Sequence, residues 1–288
     1  MRVADSTDRR VLIMDQRSRY VFPKPTPYLL DTYEGAAAAY SLRRLRSAYT
    51  GPAVRVRRES NNDELDIYFD GQGNLDTASL EAFCAGTNGF VKVWYDQSGN
   101  GNDATQDVAT ANQPQIVSSG SIIPEGGKPA IEFDGSDDEL SHNISGLENG
   151  DFTYTDVFTS SDGGAMIHSS TTNNKWPIIS QTSTSTQLSA GFVTTYLSFF
   201  KNGVQPLSSG ATRTDLKNAF FDGNQNLAFW HGTTDSLAVS QMYLGRYQSG
   251  GFEFTGKLQE TILWTSDQNT AGNRTGIETN INDYYNIY

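Results

Sequence analysis

A short apolar run that enters a turn rich in glycine and asparagine constrains this chain more than any other feature. Residues Phe90–Tyr95 alternate in hydropathy, as a strand with one buried face does. The tetrapeptide Gly99–Asn102 (Gly-Asn-Gly-Asn) follows shortly after, and these two residue types tolerate positive φ angles better than others. A strand that ends in such a tight polar reversal fixes the direction of the chain beyond it. We therefore expect residues 94–106 to organise the fold.

The composition favours short strands joined by turns. The chain has 288 residues, of which 36% are hydrophobic, with 15 Phe, 14 Tyr and 27 Gly. Aromatic residues are enriched in strands, and glycine is enriched in the turns between them. The chain is long enough to bury a sizeable core. It has no run of 18 apolar residues, so the sequence predicts no membrane-spanning helix.

The charge is unevenly distributed along the chain. The net charge is −12, but residues 1–60 carry 12 basic and 6 acidic side chains. The remainder carries 9 basic and 27 acidic side chains, which argues against binding to a nucleic-acid backbone. The basic beginning is expected either to dock on an acidic partner or to pair within the fold.

The beginning of the chain is predicted to be an arm outside the main domain. Residues Met1–Ser6 lack the apolar core of a secretory signal, and the single Cys84 has no partner for an internal disulfide. These features predict folding in a reducing cytoplasm. Residues 1–27 contain short strand candidates and the proline-rich connector 23–27, which suggests attachment to another chain by strand pairing. The alternative is that the arm covers an edge of its own domain.

Local patterns predict a few short helices and a hairpin before residue 106. Ala36–Tyr49 is rich in alanine, leucine and arginine and ends before Gly51-Pro52, which favours a helix. Ala53–Arg58 and Leu65–Phe69 are expected to pair as a hairpin. Asp76 or Thr77 is predicted to cap a second helix that runs through Phe83.

Beyond Gln113 the chain is predicted to form strand after strand and one closing helix. Glycine, asparagine, aspartate and serine turns separate the strand candidates in the manner of an antiparallel sandwich. The candidates are 128–138, 152–159, 176–181, 187–192, 195–200, 219–221, 227–231, 241–246 and 252–264, and the closing helix is Arg274–Tyr285. The predicted fold is therefore all-β: an antiparallel β-sandwich (jelly roll) over residues 28–288, with a few short helices and an extended N-terminal arm.

Two groups of residues resemble known families. Phe83–Asn88 followed by Tyr95–Asn102, in the element order of Tyr33–Gln106, resembles the N-terminal half of the catalytic domain of arabinofuranosidase B-type glycoside hydrolases. The same combination also resembles laminin-G-like (concanavalin A-like) modules of bacteriophage structural proteins, and Lys128–Asp138 resembles the strand and acidic turn that open laminin-G-like sandwiches. Both resemblances imply a β-sandwich.

The arabinofuranosidase resemblance also implies where two catalytic carboxylates should lie. Retaining glycosidases use a nucleophile and an acid/base, and in this family the acid precedes the closing strand in a glycine-rich turn. Here that turn is Leu244–Gly251, which has no carboxylate, and Lys175–Leu197 upstream has none either. No catalytic residue is therefore expected from the resemblance. The remaining acidic candidates, which are expected to be solvated, are Asp134, Asp137, Asp138 and Glu139.

The 94–106 turn offers a weak calcium alternative. Asp96, Ser98, Asn100, Asn102 and Asp107 occupy positions 1, 3, 5, 7 and 12 of a loop with EF-hand spacing. Position 12 lacks the bidentate glutamate, and side chains that cap their own turn explain the same residues. We therefore predict no metal site and no cofactor; the three histidines show no ligand spacing. Cys84 lies in an apolar segment and is expected to be a core residue.

The functional prediction from sequence is a bacteriophage virion protein that contacts glycans. Aromatic faces bind sugars, although sandwich cores use the same residues; the candidate ligand-binding residues are Trp176, Trp230 and Tyr247. The chain is expected to join other virion proteins through its arm, to act as a homo-oligomer, and to contact host-surface glycans without being an enzyme. One alternative is an arabinofuranosidase-like hydrolase. A second is a purely architectural capsid or tail component.

Overall fold

The computed structural model describes residues 27–144, 150–161, 167–170, 198–207, 211–234, 241–246 and 253–288. Residues 1–26 of the arm, and the strand candidates 176–181 and 187–192, lie outside these ranges. The division into an arm (1–27) and a domain (28–288) therefore stays a prediction.

Strands dominate the described chain, and four helices flank them. The helices are α1 (Leu29–Thr32), α2 (Thr77–Phe83), α3 (Arg213–Phe220) and α4 (Ala271–Tyr285). The strands are β1 (Ala36–Ser41), β2 (Val54–Arg58), β3 (Glu64–Ile67), β4 (Gly89–Trp94), β5 (Ala104–Thr105), β6 (Gln115–Ser118), β7 (Ser121–Ile122), β8 (Pro124–Glu125), β9 (Lys128–Pro129), β10 (Ile131–Asp134), β11 (Leu140–Asn143), β12 (Gly150–Thr159), β13 (His168–Ser170), β14 (Ser198–Lys201), β15 (Gln225–Thr234), β16 (Gln241–Leu244) and β17 (Thr255–Trp264).

One antiparallel sheet contains nearly all of these strands. Its order is β13-β16-β11-β5-β4-β6-β10-β17-β12-β15-β14. In addition, β1 pairs with β17, β2 pairs with β4, β3 pairs with β2, and β7 pairs with β6. Strands far apart in this order share one core: Leu140 and Met242 lie in the same buried cluster as Tyr154 and Trp230. The sheet must therefore fold over itself into two layers. The predicted antiparallel β-sandwich with few short helices is confirmed.

A second core lies outside the sandwich, beneath the last helix. Ile277, Ile281 and Tyr285 repeat at i, i+4 and i+8 along α4 and are buried against Ile262 and Trp264 of β17. The predicted closing helix is confirmed, and it begins three residues earlier than expected. The predicted cap of α2 is also confirmed, because the Asp76 carboxylate accepts the Ser79 amide at 3.1 Å.

Two predicted elements are wrong. Ala36–Ser41 is strand β1 and not a helix, because it pairs with β17 and both of its faces are buried. Residues 219–221 were expected to form a strand, but Ala219 and Phe220 end α3, whose capping box between Thr212 and Asp215 fixes its start. Among the described helices none is both long and apolar enough to cross a membrane.

Candidate active site

A short acidic loop, Asp134–Glu139, connects β10 to β11, and we refer to it as the acidic turn. Gly135 has φ +78°, and a side chain there would collide with Thr255 at the start of β17. The Ser136 amide donates to the Asp134 carboxylate at 2.8 Å, and the Asp134 amide donates to the Asp138 carboxylate at 2.9 Å. Local hydrogen bonds therefore fix the conformation of the turn and the direction of two of its carboxylates.

The acidic turn brings three carboxyl groups together. Asp134, Asp137 and Asp138 each place an oxygen within 4.8 Å of the others. The pKa of Asp138 is raised from its ordinary value of 3.8 to about 7, mainly because the carboxyl group is buried. The hydrogen bond from the Asp134 amide lowers this pKa, and the nearby charges of Asp134 and Asp137 raise it. With a pKa of about 7, Asp138 exists in both the protonated and the ionised form near neutral pH. A carboxyl group with this pKa can give and take a proton in that pH range.

The expectation that this turn is simply solvated is wrong for Asp138, whose exposed fraction is 7%. Asp138, Leu140 and His142 alternate on one face, and all three are buried. The sequence contained this signal, because the alternation of β11 extends back by one step to Asp138. Asp134 is exposed and Asp137 is half-buried, so the cluster reaches the surface.

Leu244–Arg246, the described start of the glycine-rich turn, lies against the acidic turn. Gly245 has φ +88°, and a side chain there would meet the Phe133 ring and the Asp138 carbonyl oxygen. The Arg246 guanidinium lies 3.5 Å from the Glu139 carboxylate. This turn is where the family resemblance places the acid. The carboxyl groups of the acidic turn thus lie near the start of this turn, although the turn itself has none in its sequence.

Polar and aromatic groups border the carboxylates. Gln106 donates to Glu139 at 3.1 Å. Tyr243 is half-buried opposite Ser141 in the β11–β16 ladder, and burial followed by the nearby Glu139 raises its pKa. Its hydroxyl therefore remains a hydrogen-bond donor beside an aromatic face, a combination that suits a sugar.

Of the three residues predicted to bind sugar, the structure describes Trp230 alone. Trp230 has an exposed fraction of 0%, and its indole N–H donates to the buried Asp156 at 3.0 Å. Its ring packs on Phe220 with 4.4 Å between centroids. This position gives Trp230 a structural role and does not support the prediction that it binds a ligand. Trp176 and Tyr247 lie outside the described residues, so their binding roles stay predictions.

The 94–106 turn fastens the start of β5 to β1 through the Asp96 carboxylate. One oxygen accepts the Ala39 and Ser98 amides at 2.9 and 2.8 Å, and the other accepts the Ser98 hydroxyl and the Asn102 amide at 2.6 and 3.0 Å. Gly99 and Gly101 have φ +95° and +75°, as the turn prediction requires.

The same contacts do not fit a cation. Four hydrogen-bond donors converge on Asp96, whereas a calcium site needs converging oxygens. The Asn100 and Asn102 amide groups donate to the Ala37 carbonyl at 3.1 and 2.8 Å, and Asp107 lies 3.5 Å from Lys92. Cys84 is buried, and burial raises the pKa of its thiol to about 11, which suits a core residue and not a nucleophile.

Known proteins similar to this chain are arabinofuranosidases. Residues 31–135 match the family model described as the catalytic domain of α-L-arabinofuranosidase B. An α-L-arabinofuranosidase of Hypocrea jecorina is 44% identical over 70 residues, which cover 24% of this chain and 14% of the relative. A probable α-L-arabinofuranosidase B of Aspergillus terreus is 42% identical over 71 residues, with the same two shares, 24% and 14%. The matched segment thus spans about one seventh of the length of these relatives.

Solved structures of the same kind share the fold over most of the chain. A GH54 α-L-arabinofuranosidase soaked with a cyclic sulfate inhibitor superposes with a TM-score of 0.57 at 15% identity, covering 88% of this chain and 64% of that one. An arabinofuranosidase complexed with arabinofuranosyl-α-1,2-xylobiose superposes with a TM-score of 0.56 at 17% identity, with the same coverage of 88% and 64%. At these identities the likeness establishes the fold alone.

These matches correct the functional predictions from sequence. The arabinofuranosidase resemblance is supported, whereas the matched proteins give no support to the bacteriophage laminin-G-like one. The predictions of a virion structural protein, of a virion location and of a chain that is not an enzyme are wrong on the same findings. Those predictions gave too much weight to the missing signal sequence and to family positions read only along the chain.

Proposed function

We propose that this protein is an arabinofuranosidase-like glycoside hydrolase whose acid/base is Asp138 and whose nucleophile is Asp134. The observation that carries the proposal is the position of a carboxyl with a pKa of about 7 beside two further carboxylates. This cluster lies against the turn in which the matched family keeps its acid. Retaining glycosidases separate their two carboxyl groups by about 5–5.5 Å, and in this cluster oxygens of the carboxyl groups lie within 4.8 Å of one another, slightly closer than that range.

The division of roles follows from the environments of the two carboxyl groups. Asp138 is buried, and with a pKa of about 7 it still carries its proton in a large fraction of molecules near neutral pH, as a general acid must. Asp134 is exposed, and the Ser136 amide orients one of its oxygens, which leaves the other to attack. Asp137 receives no hydrogen bond from the described residues, so it is held less firmly than Asp134.

The reaction would proceed in two displacements. The Asp134 carboxylate attacks C1 of the arabinofuranosyl group while Asp138 gives its proton to the departing glycosidic oxygen, and the bond between C1 and that oxygen breaks. Water then attacks C1, and the Asp138 carboxylate takes a proton from it. The bond to Asp134 breaks and arabinose leaves, so both carboxyl groups return to their starting states.

The test compares two substrates that differ in leaving group. We expect the wild-type protein to hydrolyse both 4-nitrophenyl and methyl α-L-arabinofuranoside, with a rate that falls as the pH rises through about 7 and Asp138 loses its proton. Asp138→Asn should lower the rate on the methyl glycoside about 10²–10⁴-fold. It should lower kcat/KM for the nitrophenyl glycoside less, because this ratio reports the first displacement and nitrophenolate leaves without a proton. Asp134→Asn should abolish turnover of both.

Asp151→Asn is the matched control. Asp151 is exposed at the start of β12, beside the end of β17 opposite to the acidic turn, and its substitution should leave both rates unchanged. A folded wild-type protein that hydrolyses neither substrate would refute the proposal. So would turnover that persists equally in all three variants.

A further inference from the structure

A wide polar cleft lies at the other end of the sandwich from the acidic turn. Its volume is about 1010 Å³, and it runs between the segment from α1 to β1 and the 94–106 turn. Thr265, directly after β17, lines this cleft, whereas Asp134 pairs with Thr255 at the start of β17. A strand of ten residues spans roughly 30 Å. The cleft is therefore separate from the candidate active site.

One wall of the cleft presents oxygen atoms. The amide NH₂ groups of Asn100 and Asn102 point into the protein, where they donate to the Ala36 and Ala37 carbonyls at 2.8–3.1 Å. Their side-chain oxygens accept no hydrogen bond from the described residues. Because the Asp96 network fixes this turn, the two acceptors are held in place before any ligand arrives.

The remaining groups combine acceptors with one cationic donor. Glu34 is exposed and forms neither a hydrogen bond nor an ion pair with any described residue. Asp31 accepts the Ser47 amide at 3.1 Å. The Arg46 guanidinium uses one N–H on the Ser98 carbonyl at 2.8 Å, which leaves further donors towards the cleft.

This mixture selects a neutral ligand rich in hydroxyl groups. Two carboxylates repel a phosphate or a uronate, and the positive charge of Arg46 offsets part of their attraction for a cationic amine. A sugar hydroxyl both donates and accepts, so it can pair with the asparagine oxygens, with Glu34 and with Arg46. The volume lies at the upper end of the range of about 300–1,000 Å³ for small-molecule sites, which suits several linked sugars.

We propose that the cleft is a second carbohydrate site that binds a neutral oligosaccharide without cleaving it. The ligand class that fits the proposed activity is an arabinose-containing chain, but the cleft itself does not rest on that activity, because its groups are suited to binding alone. Its lining includes no aromatic ring, so no stacking contributes. Binding of a single oligosaccharide should therefore be weak, with a Kd on the order of a millimolar.

The test is a titration of ¹⁵N-labelled protein with α-1,5-linked arabinotriose, followed by two-dimensional NMR. The Asp138→Asn variant is used so that the ligand is not consumed. We expect saturable shifts at the backbone amides of Glu34, Arg46 and Asn100. Glu34→Ala and Arg46→Gln should each weaken the binding at least 5-fold, whereas Glu81→Ala, which removes an exposed glutamate from α2, should leave it unchanged.

The outcomes separate this site from the hydrolase. Saturable shifts at the cleft support the inference even if the wild-type protein hydrolyses no arabinofuranoside. Shifts confined to the acidic turn, or none at 10 mM ligand, overturn it even if hydrolysis is observed. Equal or tighter binding of a trigalacturonate at the cleft also overturns it, because the argument requires a neutral ligand.

Discussion

Asp138 is a buried carboxyl whose contribution to stability depends on pH. Its pKa is about 7 in the folded protein against 3.8 for the free side chain. Between these two values the folded state binds more protons than the unfolded state, so folding becomes less favourable as the pH rises from about 4 to about 7. Above pH 7 Asp138 is ionised in both states, so the decrease in the free energy of unfolding is complete and does not grow further. A residue suited to acid catalysis is therefore also a source of instability near neutral pH.

We predict that Asp138→Asn stabilises the protein at pH 8 by about 2–4 kcal/mol and changes its stability little at pH 4. The asparagine oxygen can still accept the Asp134 amide, while the desolvated charge is gone. Urea unfolding at the two pH values measures the difference. Asp137→Asn, which alters a half-buried neighbour, serves as the control and should show a smaller effect. A destabilised Asp138→Asn at pH 8 would contradict the assigned pKa.

Among single elements, β1 illustrates why part of this fold could not be predicted from the sequence. Alanine favours a helix over other residues by at most about 1 kcal/mol per position. In β1, however, Ala38 lies in the sandwich core and Ala39 in the core beneath α4. The Ala39 amide bonds to Asp96, and its carbonyl accepts the Gln97 amide at 2.8 Å. Tertiary contacts of this size override local propensity, and they come from residues nearly sixty positions away.

The sequence did predict the cap of α2 and the buried face of α4, because the residues that determine them are close together along the chain. Asp76 caps α2 through Ser79, three residues away, and the face of α4 repeats every four residues. The acidic turn was visible as a cluster of aspartates, but its chemistry was not. The burial of Asp138 depends on Phe133 and Gly245, and the second of these lies more than a hundred residues further along the chain.

The 94–106 turn yields a prediction that separates a structural role from a metal site. Asp96→Ala leaves the Ala39 and Asn102 amides without an acceptor and should cost about 3–5 kcal/mol. Asp107→Ala removes an exposed carboxylate in a loose pair with Lys92 and should cost less than 1 kcal/mol. A calcium loop would need both residues. Thermal unfolding with added calcium or with chelator should give the same Tm, and a calcium-dependent rise would revive the metal site.

Across the whole molecule, a buried ion pair joins the sandwich to its last helix. The Arg43 guanidinium contacts both carboxylate oxygens of Glu260, at 2.7 and 3.0 Å, and donates to Asn280 of α4 at 2.9 Å. Its charged carbon also lies 5.0 Å from the ring centre of Tyr284. Residues after β1, in β17 and in α4 are thus connected at one point.

We predict that Glu260→Gln destabilises the protein by about 3–5 kcal/mol, because it leaves Arg43 buried without a counter-charge. Arg43→Met should cost a similar amount. The double variant should be less destabilised than the sum of the two, since neither charge then remains unpaired. Denaturant unfolding of the three variants gives the coupling energy. Asp63→Asn, at the partly exposed Arg58–Asp63 pair, should cost less than 1 kcal/mol, and additive effects at Arg43 and Glu260 would show that the pair is not coupled.

The central position of β17 has a consequence for how the chain is made. β1 and β10 both form hydrogen bonds with β17, which begins at Thr255 and is therefore synthesised much later than either of them. A ribosome that adds about 5–20 residues per second needs on the order of ten seconds or more to pass from β1 to β17. During that interval open strand edges are exposed to every other nascent copy. Translation that stops before Thr255 should therefore yield insoluble protein, and chaperones that hold unpaired strands should raise the yield of the full chain.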